Sequence, residues 1–134
     1  MDNKESNGLK VTDTSEKLME ATTILAESLS QSEPFLEFRT LDEKLKADQQ
    51  ATQLLAEFSE LQQKVLEQQY TASVVESDLN RLRELRRAIG KNELIQKHAS
   101  AQEAATAFLR EVNREISSLL GVDFASLTRR SNCC

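Results

Sequence analysis

Between Leu18 and Leu120 apolar residues recur at spacings of three and four with scarcely a break. That period sets them along one side of a helix, whereas a strand would need alternation, so the spacing predicts an all-α fold. Little in the sequence opposes it: 134 residues include three glycines and one proline, the residues that most readily interrupt helices. With aromatic residues at only 4%, the space between helices must be filled by Leu, Ile, Val and Ala, which suits a narrow helix-to-helix seam.

The punctuation of the stripe predicts the elements. Residues 1–13 read as a disordered polar tail. Thr12, Asp13 or Thr14 can cap a first helix that carries Leu18, Ala21, Leu25 and Leu29 and stops near Gln31. Pro34 suits the first turn of a second helix, with Ser32 or Glu33 before it and Phe35, Phe38, Leu41 and Leu45 on its face. Asp48 reads as a further N-cap, followed by Ala51, Leu54, Leu55, Phe58, Leu61 and Val65; the second and third helices are either separate or fused with a kink. Tyr70-Thr71-Ala72-Ser73 has no periodicity and is expected to reverse the chain.

Val75, Leu79, Leu82, Leu85 and Ile89 form the next stripe, with Gly90 expected as its left-handed closing residue. Asn92 is expected to cap a last helix from Glu93 to Leu120, ended by Gly121, with Ile95, His98, Gln102, Ala105, Leu109, Val112, Ile116 and Leu119 on its face. Residues 14–124 are thus the helical domain, and 125–134 a flexible tail that ends in Cys133 and Cys134.

A last helix of about 28 residues would be ~42 Å long. A compact domain of this size has a radius of gyration of only ~13 to 14 Å, so such a helix overhangs it. Its apolar face then needs cover, and a second copy of the chain is the simplest cover. The architecture expected is an elongated antiparallel helical bundle of about four to five helices that dimerises through long helices. Leu109, Val112, Ile116 and Leu119 would form its dimer or core surface.

The net charge of −5 argues against direct association with nucleic acid, which needs a surplus of Lys and Arg on one face. The charge is unevenly placed. Residues 1–78 hold 16 acids against 7 bases, and residues 79–134 hold 6 acids against 10 bases, so the two halves can attract each other. Arg81, Arg83, Arg86, Arg87 and Lys91 make the one dense basic patch. Helical spacing gathers Arg83, Arg86 and Arg87, which read either as a solvated face or as a docking site for RNA or an acidic partner, though without the interleaved aromatics that single-strand binding favours. No run of about 18 apolar residues occurs that could span a bilayer, and Met1 to Ser6 lacks a secretory signal's apolar core. A cytoplasmic location, with reduced thiols, is expected.

Nothing in the sequence has the form of a catalytic site: a Gly-rich phosphate loop, a nucleophile elbow and a zinc-binding histidine pair are all missing. His98 is the one histidine. No carboxylate or cysteine lies one helical turn from it, so it is expected to be a partly buried structural residue. The chain reads as a non-enzyme.

Several stretches carry a resemblance. Leu25-Ala26-Glu27-Ser28-Leu29-Ser30-Gln31-Ser32-Glu33, then Phe38, Leu45, Asp48, Ala51, Leu54, Leu55 and Phe58, then Asn92, Ile95, Ala99, Val112, Asn113 and Ile116, and finally Leu120-Gly121-Val122-Asp123-Phe124, resemble in order and separation the YlbF/YmcA family of bacterial helical regulators. The resemblance runs over residues 18–124. It implies an all-helical, self-associating adaptor. Members of that family act with partner proteins, including one another, on ribonuclease Y and so steer messenger RNA processing, competence, sporulation and biofilm formation. Some bind iron–sulfur clusters in complex.

That last property bears on Cys133 and Cys134. A 4Fe-4S cluster takes four thiolates, so two adjacent cysteines would need a dimer mate or a partner to complete the set. The tail otherwise reads as an unstructured end whose thiols do little, or as a site of lipid attachment or redox signalling. Beside the adaptor, two alternatives stand: a metal or iron–sulfur redox-sensing module built on the Cys pair, and a structural coiled-coil spacer.

Overall fold

A computed structural model describes residues 6–128, with side chains from residue 12 to residue 127. Among the described residues there are six helices and no strand: α1 Ser6–Ser30, α2 Glu33–Ala47, α3 Gln49–Tyr70, α4 Glu76–Lys91, α5 Glu93–Leu120 and α6 Phe124–Thr128. The all-α fold expected from the apolar spacing is the fold observed. The chain divides into two compact units, one up to Leu36 and the other from Glu37 on.

In the first unit α1 begins at Ser6, upstream of the expected cap, so the segment 1–13 is not wholly a loose tail. Residues suited to capping can sit inside a helix when their side chains find local partners. Asp13 takes the Lys17 ammonium at 2.8 Å one turn on, the favourable order of acid before base. The Thr22 and Thr23 hydroxyls donate back to the Leu18 and Met19 carbonyls. The helix stops at Ser30, as expected. The Ser32 hydroxyl donates to the Leu29 carbonyl at 2.6 Å, and the Phe35 and Leu36 amides reach the Ser32 carbonyl to open α2, with Pro34 in its first turn, where its missing N–H costs nothing.

The second unit is an antiparallel hairpin of broken arms, with α2 and α3 in one and α4 and α5 in the other. Cross-arm contacts fix the register: Lys64 meets Asp78, Glu57 meets Arg81 and Asp42 meets His98. The 15 residues from Glu57 to Asp42 along one arm are matched by the 17 from Arg81 to His98 back along the other. One residue interrupts each arm, Asp48 between α2 and α3 and Asn92 between α4 and α5, both with extended backbone. Asp48 accepts the Ala51 amide at 2.9 Å and Asn92 the Ile95 amide at 3.0 Å, so each acts as the N-cap of the helix that follows. Helices α2 and α3 are therefore separate. Around the two breaks Leu45, Ala51 and Ile95 are buried together, with Leu54, Leu55, Ile89 and Leu94 packed against them. Further towards the turn, Leu85 on α4 and Val65 on α3 are buried.

Gly90 does not close α4 in a left-handed conformation. The helix continues through Lys91, and Asn92 serves at once as its C-cap and as the N-cap of α5; a strong cap two residues on outweighs the glycine. Gly121 does adopt the left-handed form, φ 69°, and ends α5. At the hairpin turn the Ala72 backbone lies at φ 53°.

The buried side of α5 is Ile95, Ala101 and Ala105, with His98, Phe108, Val112 and Ile116 half-buried. Gln102 and Leu109, placed on that face by spacing, are exposed. At those two places the inward position falls one residue earlier, at Ala101 and Phe108, while Ile95, His98, Ala105, Val112 and Ile116 stand where the spacing places them.

Candidate functional site

The basic patch lies on the outer face of α4. Leu82, Leu85 and Ile89 face the seam, which leaves Arg83, Arg86 and Arg87 exposed on the other side. Arg83 donates to the Asn80 side chain at 2.8 Å. Arg81 is occupied. Its guanidinium binds Glu57 on α3 at 2.7 Å and Glu84 at 3.2 Å, and these bonds, that to Glu57 foremost, raise its pKa. Arg81 thus ties the hairpin together, while Arg83, Arg86 and Arg87 remain presented to solvent.

Further towards the turn, Asp78 receives the Lys64 ammonium and the Gln68 side-chain amide, each at 2.8 Å. The Lys64 bond, and then that of Gln68, hold its carboxyl below the usual carboxylate range. The Gln68 carbonyl also accepts the Val75 amide at 3.2 Å. Val75 offers no side-chain cap to α4, and Gln68 instead ties the Val75 backbone to the opposite arm.

His98 is a packed residue, as expected. Its side chain is 17% exposed, Nε2 lies 3.2 Å from Asp42 Oδ1, and its ring centroid is 5.3 Å from that of Phe38. Lys46 takes the other Asp42 oxygen at 2.6 Å. That bond is the chief reason the Asp42 carboxyl sits below its ordinary range, with His98 assisting. The site joins α2 to α5. Among the described residues no three His, Cys, Asp or Glu side chains gather in a way that could hold a metal ion, and Cys133 and Cys134 lie outside the described residues.

The apolar residues of late α5 are covered only in part. Val112 and Ile116 are half-buried, Leu109 is exposed and Leu119 is 87% exposed. They continue without interruption the stripe that Ile95, Ala101 and Ala105 bury. With α2 at 15 residues and α5 at 28, helices that start level at the Asp48 and Asn92 breaks leave about half of α5 with no opposing helix in the hairpin. Leu120, Val122, Phe124 and Leu127 extend this apolar surface into α6. No helix among the described residues is long and apolar enough to cross a membrane.

Comparison with known proteins bears on these features. The family model described as "Control of competence regulator ComK, YlbF/YmcA" matches residues 18–120. The fold is similar to that of Bacillus subtilis RicA, solved in complex with RicF, at a TM-score of 0.70 and 22% identity over 80% of this chain and 96% of that one. No curated protein matches the sequence.

Proposed function

The chain belongs to the YlbF/YmcA family of competence regulators, and from that premise we propose that it is a non-enzymatic regulatory adaptor that acts by binding other proteins and a second copy of itself. The observation that carries the reading is the partly uncovered apolar stripe of late α5, with Leu119 87% exposed. A face of that kind on a regulator is an association surface. Arg83, Arg86 and Arg87 supply a second, charged surface for an acidic partner, and charge at an interface favours the right partner and orientation.

The partners proposed are other members of the family and, through them, ribonuclease Y. RicA is known in complex with another protein, RicF, which supports a protein partner here. Cys133 and Cys134 would contribute two of the four thiolates of a 4Fe-4S cluster only if a dimer mate or partner supplied the rest.

Affinity capture from the native host without oxygen, read by mass spectrometry and metal analysis, tests the reading. Recovery of a family member or of ribonuclease Y supports it. Recovery of no defined protein favours a structural spacer, and bound iron lost on deleting residues 125–134 favours the redox-sensing alternative.

A further inference from the structure

Two apolar helix faces of this chain are at least partly open, and they match in length. On α1, Leu18, Ala21, Leu25 and Leu29 share one face, while Glu16, Glu20 and Glu27 fall on the opposite one. Leu18 is 65% exposed and Leu25 39%. On α5 the face runs from exposed Leu109 through half-buried Val112 and Ile116 to exposed Leu119 and Leu120. Leu18 to Leu29 and Leu109 to Leu120 each cover about 17 Å of helix at ~1.5 Å per residue.

The residues beside each stripe decide what covers what. If α5 paired antiparallel with α5 of a second copy, residues flanking one edge of its stripe would meet the same residues of the other helix. Glu115 lies on that edge, with Glu111 behind it. Glu111 is matched by Arg114 at 2.9 Å on its own helix, but among the described residues Glu115 has no ion pair, so self-pairing would bring like charges together. The edges of the α1 stripe carry Lys17, Ser28, Thr22 and Ala26. None is acidic, and Lys17, the one charge there, is matched by Asp13 at 2.8 Å on its own helix, so α1 brings no like charge to Glu115.

We propose that α1 of one copy covers the C-terminal half of α5 in a second copy of this chain, twice per dimer. This rests on the self-association proposed above and assigns it a surface: the seam that α2 and α5 form near the two breaks is continued by a helix from the partner.

The test uses the full chain and sedimentation velocity at micromolar concentration, with circular dichroism to confirm folding. The wild type is expected to be a dimer. Leu18→Glu with Leu25→Glu, and separately Val112→Glu with Ile116→Glu, are each expected to give helical monomers. Mixing the two monomers should restore a dimer, because one of its two α1–α5 contacts is then free of substitutions, with a Kd at least tenfold weaker than that of the wild type. Should Val112→Glu with Ile116→Glu lose helicity, Leu119→Glu, on a residue already in solvent, takes its place. A wild-type monomer overturns self-association altogether. A wild-type dimer that survives the α1 substitutions, or a mixture that recovers no dimer, overturns this proposal alone.

Discussion

Asp42 on α2 and His98 on α5, 56 residues apart in the chain, meet at 3.2 Å on a side of the hairpin also closed by Phe38. Asp42 divides its two oxygens between His98 and Lys46, and the Lys46 bond foremost depresses its pKa. Asp78 is held down in the same direction, first by Lys64. A carboxylate whose folded pKa is depressed stabilises the fold above its unfolded pKa of about 4 and loses that contribution as pH falls through the folded value. Thermal midpoints followed by circular dichroism should therefore drop between pH 5 and pH 2, as an order-of-magnitude window. The drop should be shallower for Asp42→Asn with Asp78→Asn. Parallel curves for the two proteins would count against it.

Removing a cap should cost stability at the level of the breaks. Asp48→Ala and Asn92→Ala each leave one amide, that of Ala51 or Ile95, without its acceptor, at a cost of about 1 kcal/mol. Gln68→Ala releases both the Val75 amide and Asp78 and should cost about as much. Urea unfolding at fixed protein concentration measures all three, and an unchanged midpoint would contradict the assigned bonds.

The two described helix-end glycines should respond with opposite signs. Gly90 is helical, and a Cβ there would meet nothing within 4 Å, so Gly90→Ala should stabilise by up to about 1 kcal/mol. Gly121 has φ 69°, where a Cβ is strained, so Gly121→Ala should destabilise by about 1 kcal/mol. Matching shifts of one sign would show that the two backbones do not differ in this way.

Leu85 is 2% exposed in the seam between α3 and α4. Leu85→Ala should cost about 2 to 5 kcal/mol, the spread reflecting how far the helices close on the space. A cost under 1 kcal/mol, again by urea, would mean that the seam is loose at that level.

Arg83→Glu with Arg86→Glu and Arg87→Glu should leave folding stability within about 1 kcal/mol of wild type, since all three side chains are exposed. Capture of an acidic partner should fall at least tenfold. Retained capture would reduce the patch to a solvated face.

Much of the fold was legible in the sequence because its signals are local. Asp48 and Asn92 precede apolar runs at capping distance, Gly121 follows the last turn, and Tyr70–Ser73 breaks the period; the helices start and stop at these points. At Gly90 two local signals compete, and the cap at Asn92 two residues on carries the helix past the glycine. Elsewhere a non-local term decides. Gln102 and Leu109 lie on the ideal helical face but not on the seam that a neighbouring helix selects. The partner of His98 is on another helix, so a search one turn along α5 could not find Asp42, and nothing local marks Gln68 as the clamp on α4. Of the candidate surfaces, the arginines could be placed on an outer face from spacing alone. Which of them is free depended on Arg81 finding Glu57 across the hairpin.

At Asp48 and Asn92 a side-chain oxygen takes an amide that an unbroken helix would bond to its own backbone. The cooperative ladder that makes a helix melt as one piece is thus cut in both arms at the same height. Fraying that begins at the Tyr70–Val75 turn has no continuous backbone track past that height, and α2 with early α5 can hold their amides from exchange with solvent after the α3–α4 end has opened. The molecule carries two zones of endurance in one hairpin.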